Sequence, residues 1–277
     1  MRFTKMNGAG NDFIIVENLH GELTEQQLSK LSRTLCDRRL SIGADGLMAI
    51  VPARADADFG MLFFNCDGTL GEMCGNGARC ICRYGYEAGL AGETQTIETT
   101  AGLVTGVRID AKNYRIRLPD PTGLEYLALD VDGKKVGCMY LELGNPGIPH
   151  AVVQYPGLRE ADEQELFEFG RRLRYHPAFP KGANVNFLEK TGENRFYERT
   201  WERGVEDFTY ACGTGTGASV YALAEKRRCG DHAEVEVKGG LLIVDIVRDG
   251  KKCKDLLLTG PASMVCAGEV FEEALPQ

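Results

Sequence analysis

The chain has no run of about 18 apolar residues, so no segment of it is expected to cross a bilayer as a helix. Its opening, Met1-Arg2-Phe3-Thr4-Lys5-Met6-Asn7-Gly8, enters Gly and Asn without an apolar core of the signal-peptide kind, and a cytoplasmic protein is expected. Positive charge is also short. A formal net charge of -8 argues against a nucleic acid or an anionic membrane as partner, because phosphate binding wants net positive charge on at least one face. The expected partner is therefore a small molecule. Low-complexity segments are absent, and so is paired C-x2-C spacing. The run Cys74, Cys80, Cys82 does not converge tetrahedrally from one helix, so no metal is expected. Gly213-x-Gly215-x-Gly217 is not the G-x-G-x-x-G of a dinucleotide loop, and regular βαβ alternation is missing around it.

What is present begins with length. At 277 residues two domains are the natural expectation. The 10 cysteines are spread along the chain with no secretory leader before them, so they are expected as reduced thiols. Free cysteine packs as a small buried hydrophobe, and that is the default reading of each. Two of them stand apart because they sit in a repeat. Cys74-Gly75-Asn76-Gly77-Ala78 returns 138 residues later, 74 to 212, as Cys212-Gly213-Thr214-Gly215-Thr216. At the same offset a helix start at Thr24, with Gln27 in the capping-box position and Leu28, Leu31 and Leu35 on one face, returns at Asp162. There Glu165 takes the box position and Leu166, Phe169 and Leu173 the face. Ile97 to Val104 aligns in the same way with Val235 to Leu242, each a strand running into a Gly turn, and Phe13 to Val16 with Ala151 to Gln154. Two homologous mixed α/β halves of roughly 120 to 140 residues follow, within the usual domain range. Pro119-Asp120-Pro121 is the candidate linker.

The sequence predicts a helix after each Cys-Gly element, from Ala78 to Glu87 and from Ala218 to Arg227. The first N–H groups of a helix have no internal partner and attract anions, and glycines let a ligand approach the backbone. The same helix end lowers a thiol's pKa, so a cysteine there can be a thiolate near neutrality and serve as a base. Two such cysteines on opposite faces of an α-carbon would invert it without a cofactor, one as base and the other as acid. The helix ends would stabilise the charge that develops on the substrate carboxylate. Two competitors stay open on these residues. One is a redox disulfide between Cys74 and Cys212, since two low-pKa thiols facing each other oxidise readily, which reads as a liability of the pair rather than its function; the other is a non-catalytic amino-acid-binding protein.

These motifs resemble those of the diaminopimelate epimerase family, PLP-independent isomerases of lysine and peptidoglycan biosynthesis, over nearly the whole chain. The resemblance lies in Lys5-Met6-Asn7-Gly8-Ala9-Gly10-Asn11-Asp12-Phe13, in Met73-Cys74-Gly75-Asn76-Gly77-Ala78-Arg79-Cys80, and in Trp201-Glu202-Arg203-Gly204 followed by Ala211-Cys212-Gly213-Thr214-Gly215. It implies two pseudo-symmetric domains, residues 1–118 and 119–262, with the tail from 263 to 277 packing on the first. Each would be a strongly curved, mostly antiparallel sheet around a central helix, with the active site in the cleft between them and a homodimer as the assembly. It further implies LL- to meso-diaminopimelate epimerisation with no cofactor, with Cys74 and Cys212 exchanging the proton. Gly75, Asn76, Gly213 and Thr214 would hold the carboxylate at the reacting carbon, and Asn11 would lie by the reacting amino group. Asn65, Asn184 and Arg203 would surround the distal end, while Glu202 and His150 would support the centre.

Taken alone, these residues read differently. Asn11 and Asn65 read as turn residues, and Asn184 and Asn186 as the solvated face of a strand. Glu202-Arg203 reads as an exposed charge pair, and His150 as a satisfied core histidine. Three positions depart from the family pattern: Gly46 where Gln is common, Phe208 where an acidic residue precedes the second cysteine, and the Gly144–His150 stretch, where Ile148 takes the place of a substrate-reaching Asn if His150 sets the alignment and the loop is three residues longer if Asn145 does. They leave a racemase of another amino acid as the alternative substrate reading.

Overall fold

The computed structural model describes residues 1–54, 56–71 and 75–275. The chain forms two compact units, Met1–Ile116 with Gly260–Gln277, and Arg117–Thr259. The first runs β1 (Arg2–Gly8), β2 (Asn11–Glu17), α1 (Glu25–Leu35), β3 (Gly46–Val51), β4 (Phe59–Asn65), α2 (Gly75–Glu87), β5 (Thr94–Thr99), β6 (Gly102–Arg108) and β7 (Asn113–Leu118). The second runs β8 (Pro121–Val131), β9 (Lys134–Leu143), β10 (Ile148–Gln154), α3 (Glu163–Arg174), β11 (Asn184–Gly192) and β12 (Arg195–Glu202). It continues through β13 (Asp207–Thr209), α4 (Gly213–Glu225), β14 (His232–Val237), β15 (Gly240–Asp249) and β16 (Lys252–Pro261). β17 (Ser263–Glu269) then pairs antiparallel with β1. The division falls inside β7, ahead of Pro119, and Pro119-Asp120 joins β7 to β8. No described helix is long and apolar enough to cross a membrane.

The repeat read in the sequence is a repeat of pairing. β2–β3 is parallel in the first unit and β10–β11 in the second; β4–β5 is parallel and so is β12–β14. The other pairings described for these strands, such as β3–β4 and β11–β12, are antiparallel, which makes the architecture mixed and mostly antiparallel. α2 and α4 begin 138 residues apart, as do β5 and β14, and β6 and β15. One segment shifts. Phe13 pairs with Gly46, whereas Asn184, 138 residues after Gly46, pairs with His150, so His150 rather than Ala151 takes the place of Phe13.

Each helix forms where its sequence caps it and buries what its period lines up. Thr24 caps α1 with the full reciprocal box to Gln27, and Leu28, Leu31 and Leu35 are buried with Ile14, Val16, Leu47 and Phe64. Asp162 caps α3 by accepting the Glu165 N–H at 2.9 Å. Leu166 and Leu173 pack there with Phe187 and Trp201, and half-buried Phe169 joins them. α4 is buried nearly all round, from Gly213 to Ala224, as an apolar helix enclosed by protein must be. It lies against β9, β10, β11 and β15, while α3 covers β11 and β12. Both faces of β11 are therefore covered, and this sets the character of the site.

Candidate active site

Cys212 is the N-cap of α4, in extended backbone, with a side chain 6% exposed. Its Sγ lies 3.6 Å from Thr214 Oγ1. A Cβ on Gly215 would stand 3.2 Å from that sulfur and 2.2 Å from Asn186 Oδ1, so the second glycine of the motif is required by close approach. Gly213 and Thr214 open the helix, where N–H groups lack helical partners and can face an anion. The thiolate that a helix start can favour is not what this environment makes of Cys212. Burial, then the Glu202 carboxylate and more weakly Glu198, push the thiol well above its ordinary value, against the opposing Thr214 hydroxyl and Gly215 N–H. Cys212 rests as a thiol because loss of water outweighs the helix end.

Around it the second unit gathers most of its sequence-predicted residues. His150 and Asn184 are register partners on β10 and β11. Asn184 Oδ1 accepts the Arg203 N–H at 2.7 Å, and Arg203 Nη1 donates to the Lys181 carbonyl at 3.1 Å. His150 is fully buried, its Nδ1 3.4 Å from Asn186 Nδ2, and its Nε2 meets no partner among the described residues. Burial and then the Arg203 charge push its pKa down to about 3, so it acts only as a neutral imidazole. Asn184 at 5% and Asn186 at 0% exposure are not on a solvated face, because α4 covers that side of β11.

In the first unit Cys74 lies outside the described residues, as does Met73. Gly75 and Asn76, which open α2, are buried. Asn76 Nδ2 donates to Asn11 Oδ1 at 2.6 Å, Asn11 Nδ2 donates to Asp45 Oδ2 at 3.1 Å, and Arg79 Nη2 donates to Asn76 Oδ1 at 2.8 Å. Asn11 is thus the first residue of β2 and a bridge to the start of α2; Ala9 and Gly10 make the turn. Burial would raise the neighbouring Asp12, but Arg38 and Lys5 override it and hold the carboxyl down at about 2. Asn65 ends β4, its side chain donating to Thr69 Oγ1 at 2.9 Å in the following turn.

The three departures have local causes. A Cβ at Gly46 would fall 2.4 Å from the Phe63 ring, which fills the space a Gln would use. Gly144 to Gly147 form the turn between β9 and β10, and Ile148 starts β10 opposite Leu143. Phe208 packs edge-on to Trp201, centroids 5.5 Å apart, under the Arg199 guanidinium at 4.4 Å. Sequence reasoning missed the polar layer beneath Cys212. Glu198, Thr200, Thr216 and Ser219 are buried there with Asn186 and His150. The only signal was polar residues recurring every second position on β12, which also fits a wet strand face. Among the described residues no group of three or more His, Cys, Asp and Glu could hold a metal.

Comparison with known proteins bears on the same residues. The family model described as Diaminopimelate epimerase matches residues 3–118 and 143–265. A diaminopimelate epimerase of Methanothrix thermoacetophila is 39% identical, over 99% of this chain and 98% of its own. One of Aquifex aeolicus is 36% identical over 99% of both. Among solved structures, a phenazine biosynthesis protein of the PhzF family from Bacillus anthracis superposes with TM-score 0.72 at 18% identity, over 98% of this chain and 99% of that one. A probable proline racemase from Agrobacterium radiobacter K84 gives 0.68 at 19%, over 98% and 93%. These two likenesses are of fold.

Proposed function

This chain belongs to the diaminopimelate epimerase family, and from that premise we propose that it interconverts LL- and meso-diaminopimelate by two-base proton transfer, in lysine and peptidoglycan precursor synthesis. The observation that carries the reading is a buried cysteine capping a helix whose Cys-Gly sequence recurs 138 residues earlier at the start of α2. One cysteine takes the substrate's α-hydrogen as a proton; the electron pair left behind spreads into the carboxylate; the other gives a proton to the opposite face. Atoms and charge balance within one turnover, and the two sulfurs finish with roles exchanged. Because Cys212 is held as the thiol, it is the acid of the resting protein and Cys74 the base.

The helix-start backbone at Gly213 and Thr214, and at Gly75 and Asn76, would hold the carboxylate as its charge grows. Asn11, fixed by Asn76 and Asp45, would meet the reacting amino group. Arg203 and Asn184, already bonded to each other, would form the distal end with Asn65. Glu202 adds to burial a negative charge that favours the thiol at Cys212, and neutral His150, on β10 beside Asn184, would support the catalytic centre with it. The test is turnover by Cys74→Ala and Cys212→Ala. Each should lose activity while keeping the wild-type unfolding temperature to within a few degrees, and strong activity in either would end the two-base reading. Closed-off space at Gly46 favours one further outcome, a different amino acid as substrate on the same two cysteines.

A further inference from the structure

Beneath the first two turns of α4 lies a carboxylic acid that the proposed reaction does not use. Glu198, on β12, is 1% exposed. It accepts from two hydroxyls of α4: from Thr216 at one carboxyl oxygen and from Ser219, at 2.7 Å, at the other. Thr216 Oγ1 is also 3.1 Å from the carbonyl of Cys212, the residue that caps this helix. In the first unit the pairing of β4 with β5 puts Met61 at the corresponding place, and the helix offset puts Ala78 and Ile81 opposite it; all three are buried. The same fold therefore closes with an apolar trio at this point. The polar trio is a feature of the Cys212 half alone.

A hydroxyl has one proton to give. While Glu198 is ionised, Thr216 and Ser219 both donate to it and the Cys212 carbonyl keeps only the Thr216 backbone N–H, at 2.9 Å. When Glu198 takes up a proton, its own O–H turns to the Thr216 oxygen, and the Thr216 proton is released to the Cys212 carbonyl. Burial, against the two hydroxyls, pushes this carboxyl up to about 7, so both states are reached near neutrality. The groups that share its side of the sheet follow from strand alternation. They are His150 from β10, Glu202 from β12 itself, solvent-exposed Asp207 opposite Glu202 on β13, and Cys212 from α4. β11 contributes Asn184, Asn186 and Leu188, and β14 contributes Ala233, Val235 and Val237, none of them ionisable. His150 is neutral and Asp207 is in solvent, which leaves Glu198 and Glu202 as the negative charges acting on the sulfur.

We propose that Glu198 is a positioning residue for Cys212, whose ionised carboxylate adds to the hold that burial and Glu202 place on the sulfur as a thiol, and whose protonation, relayed by Thr216 to the Cys212 carbonyl, weakens that hold. This rests on Cys212 being an acid–base group of the proposed reaction. The experiment that tests it does not need the substrate. The rate of iodoacetamide alkylation at Cys212, read by mass spectrometry of its peptide, is followed against pH in the unliganded full-length protein and in Glu198→Gln. The midpoint in Glu198→Gln is expected about one pH unit lower, and the pH limb of kcat/KM is expected to move with it. A role in packing alone would lower the unfolding temperature and leave the midpoint where it was, and that result overturns the proposal. Should Glu198→Gln not fold, Glu198→Met with Thr216→Ala and Ser219→Ile carries the first unit's own trio into the second. It is expected to show the same downward shift, and an unshifted midpoint in it is equally decisive. Loss of turnover on diaminopimelate in the wild-type protein would instead count against the substrate reading and leave the alkylation result intact.

Discussion

Cys212 shows how magnitudes decide between two effects that a sequence presents as one. A helix N-terminus stabilises a negative charge by about 0.3–1 kcal/mol, up to about 2 in partly buried settings. Taking the same charge out of water moves a buried group by up to about 3–5 pKa units, several kcal/mol. At 6% exposure, with Glu202 alongside, desolvation wins and the residue is a thiol. The same holds for the packing cysteines Cys82 and Cys138, which burial likewise pushes up to about 12, so a raised thiol alone does not mark a site. Cys80, fully buried behind the first motif, is the packing control. Cys80→Ala should lower the unfolding temperature and leave kcat near wild type. Arg203 should behave in the opposite way. Arg203→Met removes a guanidinium that lies by the distal residues and should cut kcat/KM on diaminopimelate about ten- to a hundred-fold, as for loss of a charged hydrogen bond. The unfolding temperature should change little, and equal kcat/KM in the two proteins would remove Arg203 from the distal site.

Among elements, those with strong local signals were legible and those decided by what covers them were not. The start of α1 at Thr24, the start of α3 at Asp162 and the strand-turn-strand of β5–β6 and β14–β15 carry caps, periods and glycine turns within a few residues. Thr24→Ala removes the hydroxyl that accepts the Gln27 N–H, leaving the backbone N–H of residue 24 bonded to the Gln27 side chain, and should cost about 0.5–2 kcal/mol in denaturant unfolding, with turnover unchanged. β11 and β12 alternate in the way a half-wet sheet does. Helices lie on both faces, α4 on one and α3 on the other, so Asn184, Asn186, Glu198 and Thr200 are inside. Alternation assigns faces, and only tertiary packing says which face meets water. A similar limit applies to α2. A Cβ on Gly8 would come within 2.6 Å of the Asn76 carbonyl, so Gly8→Ala should push α2 from β1 and lower both stability and activity, in circular dichroism melts and turnover respectively.

The whole molecule carries a pH signature from two buried groups of opposite sign. Folded His150 refuses a proton until about pH 3, whereas unfolded it would accept one near its ordinary 6.5. Its contribution to stability is complete above about 6.5 and is lost as pH falls toward 3. Glu198 works the other way, with stability complete below its ordinary 4.5 and lost as pH rises through about 7. His150→Gln should therefore flatten the acid side of an unfolding-temperature profile, and Glu198→Gln the neutral-to-alkaline side. At this scale the duplication was the most legible feature, because a constant 138-residue offset survives wherever paired elements keep their length. The substrate end was the least legible, since Gly46, Ile148 and Phe208 are set by partners on adjoining strands, Phe63, Leu143 and Trp201, which only the pairing register brings alongside.

The central claim is cofactor-free inversion by two cysteines. It is tested most directly by α-proton exchange in deuterium oxide, using reduced protein without added PLP or metal, LL-diaminopimelate and a panel of single amino acids. Deuterium entering diaminopimelate as the meso isomer forms is the predicted result. Exchange only into another amino acid would contradict the substrate, and no exchange into any of them, with the thiols shown free, would contradict the chemistry itself.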